Sequence, residues 1–144
     1  MDYTNDYSTA YYDVPADGFY RFRASGNGFW IPQDDKTWGY SYHANAADGF
    51  VVMVRNTFTG FFEVPEGVEE ITMQTQGGEG FILVDANNKV MAKSGPSREL
   101  QTWKCKVEAP GVWRFRIIQG SVRFFPPLNG VFADCPDNLP RIRR

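Results

Sequence analysis

The sequence has few of the residues on which catalytic and metal sites usually depend. Its 144 residues include one histidine, His43, and two cysteines, Cys105 and Cys135. No serine lies in the glycine pattern of a nucleophile elbow. The histidine and the two cysteines match no spacing of zinc ligands. The 17 acidic residues form many carboxylate pairs by chance, so such pairs do not indicate a hydrolase. We therefore predict a non-catalytic protein.

An excess of positive charge and long apolar runs are also missing. The chain carries 15 Lys and Arg against 17 Asp and Glu, and its formal net charge is −2. Because a phosphate backbone is neutralised by clustered basic side chains, we expect no nucleic-acid partner. No stretch approaches the roughly 18 consecutive apolar residues of a membrane-spanning helix, so we expect no membrane partner.

Aromatic residues are abundant, at 16% of the chain, and many alternate with polar residues. Residues 103–107 and 113–117 each place apolar side chains on one side and Lys or Arg on the other, with the turn formers Pro110 and Gly111 between them. No window of about 11 residues sustains a helical period with capping signals. The pattern predicts an all-β fold: a single antiparallel β-sandwich, jelly-roll-like, with about eight or nine strands.

The two ends of the chain differ in composition from its middle. Residues 1–17 contain four Asp and four Tyr but few aliphatic residues, which predicts a linker or a loosely docked N-terminal arm. Residues 18–135 form the predicted sandwich domain. Residues 136–144 carry two Pro and three Arg and are predicted to be a C-terminal tail.

One aromatic row has the spacing of a binding platform. On a strand, Trp38, Tyr40 and Tyr42 would project from one face at intervals of about 7 Å, which suits stacking on a sugar polymer. The opposite face carries small or polar residues, so the row could equally belong to the core. Trp30 lies between Gly28 and Pro32 and is the better candidate for an exposed ring. The polar partners predicted for a bound sugar are Asp34, Asp35 and Arg55.

The cysteines and the loop carboxylates each leave two interpretations open. Cys105 faces inward on its strand and Cys135 follows the last strand, so the pair forms either a disulfide or two inert thiols. Asp34, Asp35, Asp48 and Asp85 offer oxygen ligands on predicted loops, so a structural calcium ion is an alternative to simple turn formation. No other cofactor is predicted.

Part of the chain resembles the accessory β-sandwich domains of bacterial extracellular enzymes, namely carbohydrate-binding modules and the pre-peptidase C-terminal type. The resemblance covers roughly residues 60–120 and depends on a strand, a hairpin with the order Leu-x-Asp-x-x-Asn, and a strand that follows Pro-Gly. The matching segments are Phe62–Gly67, Ile71–Met73, Gly80–Asp85, Asn88–Val90 and Glu108–Phe115.

The resemblance implies a jelly-roll-like sandwich with a non-catalytic role, attached to neighbouring domains of a larger secreted protein. The first residues show neither the basic nor the apolar region of a signal peptide, which fits an intracellular protein or a domain of a longer secreted chain. With the resemblance, we expect the second, and so an extracellular location.

Three functions are compatible with these features, and the least favoured is a small stand-alone enzyme, which a cleft with two close acidic residues would indicate. The first is a carbohydrate-binding module that uses exposed aromatic residues to hold a polysaccharide or oligosaccharide next to a partner catalytic domain. The alternative is a structural or protein-interaction sandwich domain of a larger secreted protein. Exposed aromatic rings in a row would favour the first, and a broad apolar patch with a polar rim would favour the second.

Overall fold

The computed structural model describes residues 42–44, 46–48 and 52–139, which all belong to one compact unit. These residues contain strands and two short 3-10 segments, at Ala46–Asp48 and Pro136–Asn138, and no α-helix. The predicted N-terminal arm and residues 140–144 of the predicted tail lie outside them. The strands are β1 (Tyr42–His43), β2 (Val52–Val64), β3 (Glu70–Gln76), β4 (Gly80–Val84), β5 (Val90–Ser94), β6 (Leu100–Lys106), β7 (Gly111–Phe124) and β8 (Val131–Phe132).

The long strand β7 is the centre of a six-stranded antiparallel sheet. Along one edge it pairs with β2, from Val52 opposite Val122 to Val64 opposite Gly111. Along the other edge it pairs first with β4 and then, in its second half, with β3. Strand β5 pairs with β4, and β6 pairs with β3. The short strands β1 and β8 form a separate two-stranded ribbon.

The connection between β2 and β3 shows that this sheet bends back on itself. Strand β2 ends opposite the first residue of β7, whereas β3 begins beyond the last residue of β7, because Met73 pairs with Phe124. A straight β7 of 14 residues would be about 45 Å long, but residues 65–69 can span at most about 20 Å. The two ends of β7 must therefore lie close together, and the sheet is nearly closed.

The bend is built from irregular backbone in the middle of the long strands. The register of β2 against β7 shifts between Val54 and Thr57, as at a β-bulge. In β7, Gln119 has a positive φ of 49°. The buried residues of this strand have odd numbers before Gln119 and even numbers after it. An alternating strand can bury residues of both parities only if such an irregularity lies between them.

The inner surface of the bent sheet encloses an aromatic core. Phe62, Phe115, Phe124 and Phe132 are almost completely buried, and the centroid of each ring lies within about 6 Å of at least two of the others. The buried indole of Trp113 donates its Nε1–H to the carbonyl oxygen of Ala109 at 2.7 Å. The core therefore gains the area of a large ring without leaving its polar atom unpaired.

These observations confirm the predicted all-β, antiparallel architecture. The inward orientation predicted for residues 113, 115 and 117 is confirmed as well, since all three are buried. The finer prediction of a jelly-roll-like sandwich of eight or nine strands is not confirmed. The six longer strands belong to one bent sheet, and the other two have two residues each.

The bend provides a test of the fold. Gly78 has a φ of 104°, and a Cβ atom at this position would meet the carbonyl oxygens of Gln119 and Ile118, the second at 2.5 Å. We expect Gly78→Ala to lower the free energy of unfolding by about 3 kcal/mol, since a strained backbone and a backbone clash act together. Urea unfolding followed by tryptophan fluorescence measures the loss.

Gly95→Ala is the matched control, because a Cβ atom there would have nothing within 4 Å. This control should change the free energy of unfolding by less than about 0.5 kcal/mol. Equal stability of the two variants would contradict the close backbone approach at the bend.

Candidate binding surface

Of the predicted aromatic row, only Tyr42 lies among the described residues, and it packs on the core. Its ring stacks on Phe132 with a centroid distance of 5.2 Å and an interplanar angle of 17°. It also meets the edge of Phe58 at 5.4 Å. Tyr42 is half-buried, so the core interpretation of the row fits this member better than an exposed platform.

The other residues predicted for a sugar site are placed only in part. Trp30, Asp34, Asp35, Trp38 and Tyr40 lie outside the described residues, and their assignment stays a prediction. Arg55 lies in β2, beside the register shift of that strand, but its side chain is not among those described.

The cysteines are both free thiols, so the disulfide alternative is not found in the structure. Cys105 lies in β6, at one edge of the sheet, and its Sγ atom is 4.0 Å from the carbonyl oxygen of Met91. Cys135 comes two residues after Ala133, whose backbone forms a bridge to Phe61 in β2. Strand β2 lies at the opposite edge of the sheet from β6. Burial raises the pKa of the Cys105 thiol above its ordinary value of 9.0, and the charge of Glu70 adds to this rise.

Asp85 has the role of a turn former at the tip of the hairpin between β4 and β5. One of its carboxylate oxygens accepts hydrogen bonds from the backbone N–H groups of Asn87, at 2.8 Å, and Lys89, at 2.9 Å. The carboxylate is 4% exposed and is satisfied by these bonds. No group of three potential metal-ligating side chains occurs in the part of the chain that the structure describes.

One outer face of the sheet carries amide and hydroxyl side chains, with the cations Lys104 and Arg123 in register beside them, and we call it the amide–hydroxyl face. It lies on β3 and β6 and consists of Thr72, Gln74, Gln76 and Thr102. Gln74 is directly opposite Thr102, and its Nε2 donates a hydrogen bond to the threonine Oγ1 at 3.1 Å. This bond orients the amide and leaves its oxygen and its second N–H available to a ligand.

A different outer face carries cations, and we call it the basic face. It consists of Arg114 and Arg116 on β7 and Lys93 on β5, which are all exposed. Arg116 lies in register with Thr59 of β2 and with Ile82 of β4, which in turn pairs with Lys93. Two neutral residues therefore flank Arg116 on the neighbouring strands.

Neither face could be recognised as a surface from sequence spacing alone. Alternation along β3 and β7 indicates which residues point outward, but these strands lie far apart in sequence from their neighbours in the sheet. Thr102 meets Gln74, and Lys93 meets Ile82, only because of the pairing register. The alternation of each strand thus indicated its outward residues, but not which outward residues of different strands would be neighbours.

The described residues provide hydrogen-bonding and charged surfaces. Asp85 is the buried carboxyl group among them, and its hydrogen bonds come from backbone N–H groups rather than from a histidine, cysteine or serine side chain. Among them, no helix has the length and apolar character needed to cross a membrane. The arrangement suits noncovalent binding of a polar ligand.

Comparison with protein-family models finds no match for this chain. Comparisons with curated proteins and with solved structures find no similar protein either. The resemblance to accessory β-sandwich domains of extracellular enzymes therefore stays a prediction.

The two thiols provide a second test. Because the pKa of Cys105 is raised by burial, its thiol should stay protonated and react more slowly with iodoacetamide at pH 8 than the partly exposed Cys135. Mass spectrometry of partly alkylated protein measures both rates.

In the unfolded state the two alkylation rates should become similar. Above about pH 9 the folded state should lose stability, since only the unfolded chain ionises the Cys105 thiol freely. Native protein without any free thiol would contradict the structure and support the disulfide.

Proposed function

We propose that this chain is a non-catalytic carbohydrate-binding module with a jelly-roll-like fold, which holds a polysaccharide or oligosaccharide next to a partner catalytic domain. The observation that carries this proposal is the amide–hydroxyl face. It is an outer sheet surface of exposed and half-buried Gln and Thr side chains, one of which is oriented by a hydrogen bond between strands.

The chemistry of this face fits a ligand rich in hydroxyl groups. Each glutamine amide can donate and accept at the same time, as can each threonine hydroxyl, and a sugar presents the same combination of donors and acceptors. Each antiparallel strand also offers successive outward side chains at intervals of about 7 Å. A chain of sugars could therefore be contacted at several points, with each contact contributing modestly.

Aromatic stacking would add the apolar part of sugar recognition. The candidates are Trp30, Trp38 and Tyr40, which we propose as rings that face the ligand. Tyr42 is not included, because its ring is committed to Phe132 and Phe58. Asp34, Asp35 and Arg55 remain the proposed polar partners of these rings.

A structural or protein-interaction role is the second candidate, and a specific observation favours it. Val90 and Val112, on the same side of the sheet as the basic face, are 51% and 43% exposed. Exposed aliphatic residues next to arginines are typical of protein interfaces. Two valines form only a small apolar surface, however, so this role is second to glycan binding.

The proposal is tested by affinity electrophoresis of the full chain in gels that contain neutral polysaccharides, with β-glucans, xylan and mannan as separate probes. We expect retardation by at least one of them. The variant Gln74→Ala/Thr102→Ala should weaken that binding about tenfold, since each lost hydrogen bond contributes about 0.5–1.5 kcal/mol.

The control for this variant removes one amide and one hydroxyl elsewhere, as Asn87→Ala/Thr57→Ala, and should bind as the parent chain does. Both variants change side chains outside the core, so their melting temperatures should stay close to that of the parent. Absence of retardation by every neutral polysaccharide would contradict the proposal.

The proposed stacking ring is tested separately. Trp30→Ala should weaken glycan binding by about 1–3 kcal/mol, because a well-placed aromatic contact is lost, with little change in melting temperature. Trp113→Ala is the reference for a core ring and should lower the free energy of unfolding by about 3–5 kcal/mol. If Trp30→Ala destabilises the fold as much as Trp113→Ala does, Trp30 is a core residue and the stacking proposal is wrong.

A further inference from the structure

The basic face has an uncompensated positive charge. In the register of the sheet, the row of Arg116 contains Thr59, Ile82 and Lys93, and none of these is acidic. Neither Arg116 nor Lys93 has a hydrogen bond or ion pair with another side chain in the described residues. Glu63 is the nearest acidic residue in the register, and it lies opposite Val112 at one end of this face.

Arg114 differs from the other two cations because the hairpin tip positions it. Its Nη1 donates a hydrogen bond to the Oδ1 atom of Asn88 at 2.7 Å. Asn88 has a positive φ of 65° in the turn whose backbone is held by the Asp85 carboxylate. The guanidinium is therefore oriented by one of its five N–H groups, and the others are available to an anion.

The neighbouring cation Lys89 does not add to this charge. Its Nζ forms an ion pair with Glu108 at 3.0 Å, and both side chains are 59% exposed. Such an exposed pair contributes little to stability, but it does neutralise the charge of Lys89. The uncompensated set is thus Arg114, Arg116 and Lys93.

The spacing of these cations suits an extended anionic chain. Arg114 and Arg116 are two residues apart on one strand, so their backbones are about 7 Å apart. Arg116 and Lys93 are two strands apart, which gives about 10 Å. Ile82 lies between them and Phe61 lies beside Arg114, and both are half-buried. The face therefore alternates cations with apolar surface.

We propose that the basic face binds the carboxylate or sulfate groups of an anionic polysaccharide. This site is separate from the amide–hydroxyl face, and it extends the proposed function to a second surface with a different ligand chemistry. Arginine pairs with carboxylate and sulfate in a bidentate manner, while the aliphatic side chains between the cations contact the C–H groups of the sugar rings.

A polysaccharide fits this face better than a nucleic acid or a protein does. The face offers three uncompensated cations, which are too few to neutralise the closely spaced phosphates of a duplex. The exposed apolar residues of this side, Val90 and Val112, are too few for the buried centre of a stable protein interface. An anionic glycan can be held by a few cations, because its sugar rings also contact the apolar side chains beside them.

The test compares polygalacturonate with its methyl ester, because the two polymers share a backbone and differ in charge. With the full chain, isothermal titration at 50 mM NaCl should show binding of polygalacturonate at least tenfold tighter than binding of the ester. The variant Arg114→Gln/Arg116→Gln should lose about tenfold or more in affinity for polygalacturonate, and Arg114→Lys/Arg116→Lys should recover part of it. Arg116→Gln alone should show a smaller loss, and it keeps the Arg114–Asn88 bond.

The matched control, Arg98→Gln/Lys106→Gln, also removes two exposed positive charges but leaves the basic face intact. It should bind polygalacturonate within about twofold of the parent chain. An equal loss in both double variants would overturn the proposal in favour of a general charge effect, and equal binding of the ester would overturn it as well. Binding of duplex DNA as tight as that of polygalacturonate would overturn the choice of a polysaccharide. Binding of neutral glycans without any preference for polygalacturonate would overturn this inference and leave the proposed function standing.

Discussion

The structure depends on the curvature of β7. This strand pairs with β2 over nearly its whole length on one edge and with β4 and β3 in turn on the other. Residues 65–69 must join the end of β2 to the start of β3, which pair with opposite ends of β7. The sheet therefore has to fold back, and its inner surface becomes nearly closed. The irregular backbone around Gln119 and Gly78 allows the bend. Without it, the inner surface could not be buried by a sheet alone.

The closed inner surface explains where the aromatic residues of the described chain are used. Phe62, Phe115 and Phe124 of the sheet fill it together with Phe132 of β8, and Tyr42 of β1 stacks on Phe132. The backbone of Ala44 connects this ribbon to the rest: its N–H donates to Gly130 at 2.8 Å, and its carbonyl oxygen accepts from the N–H of Phe124 at 2.7 Å. The aromatic residues of the described chain thus contribute mainly to the core.

The outer surface is divided by the same bend into regions of different chemistry. The half of β7 that pairs with β4 carries Arg114 and Arg116, and the half that pairs with β3 lies beside Gln74 and Gln76. A binding role for either region needs no catalytic group, only side chains held in order. The hydrogen bonds from Gln74 to Thr102 and from Arg114 to Asn88 provide this order at small entropic cost, because both partners are fixed by the sheet or its turn.

The sequence by itself determined the elements that depend on local chemistry. Alternation predicted the buried side of β7, and Asp85 and Asn88 predicted the hairpin, because turn formation and period-two burial are set by neighbouring residues. Tertiary structure alone decided that Tyr42 stacks on Phe132, that Cys105 and Cys135 stay apart, and that one bent sheet carries both faces. These features depend on which distant strands pair and in which register, and many pairings satisfy the same alternation. Only the closure of the sheet, with the short connection between β2 and β3, selects one of them.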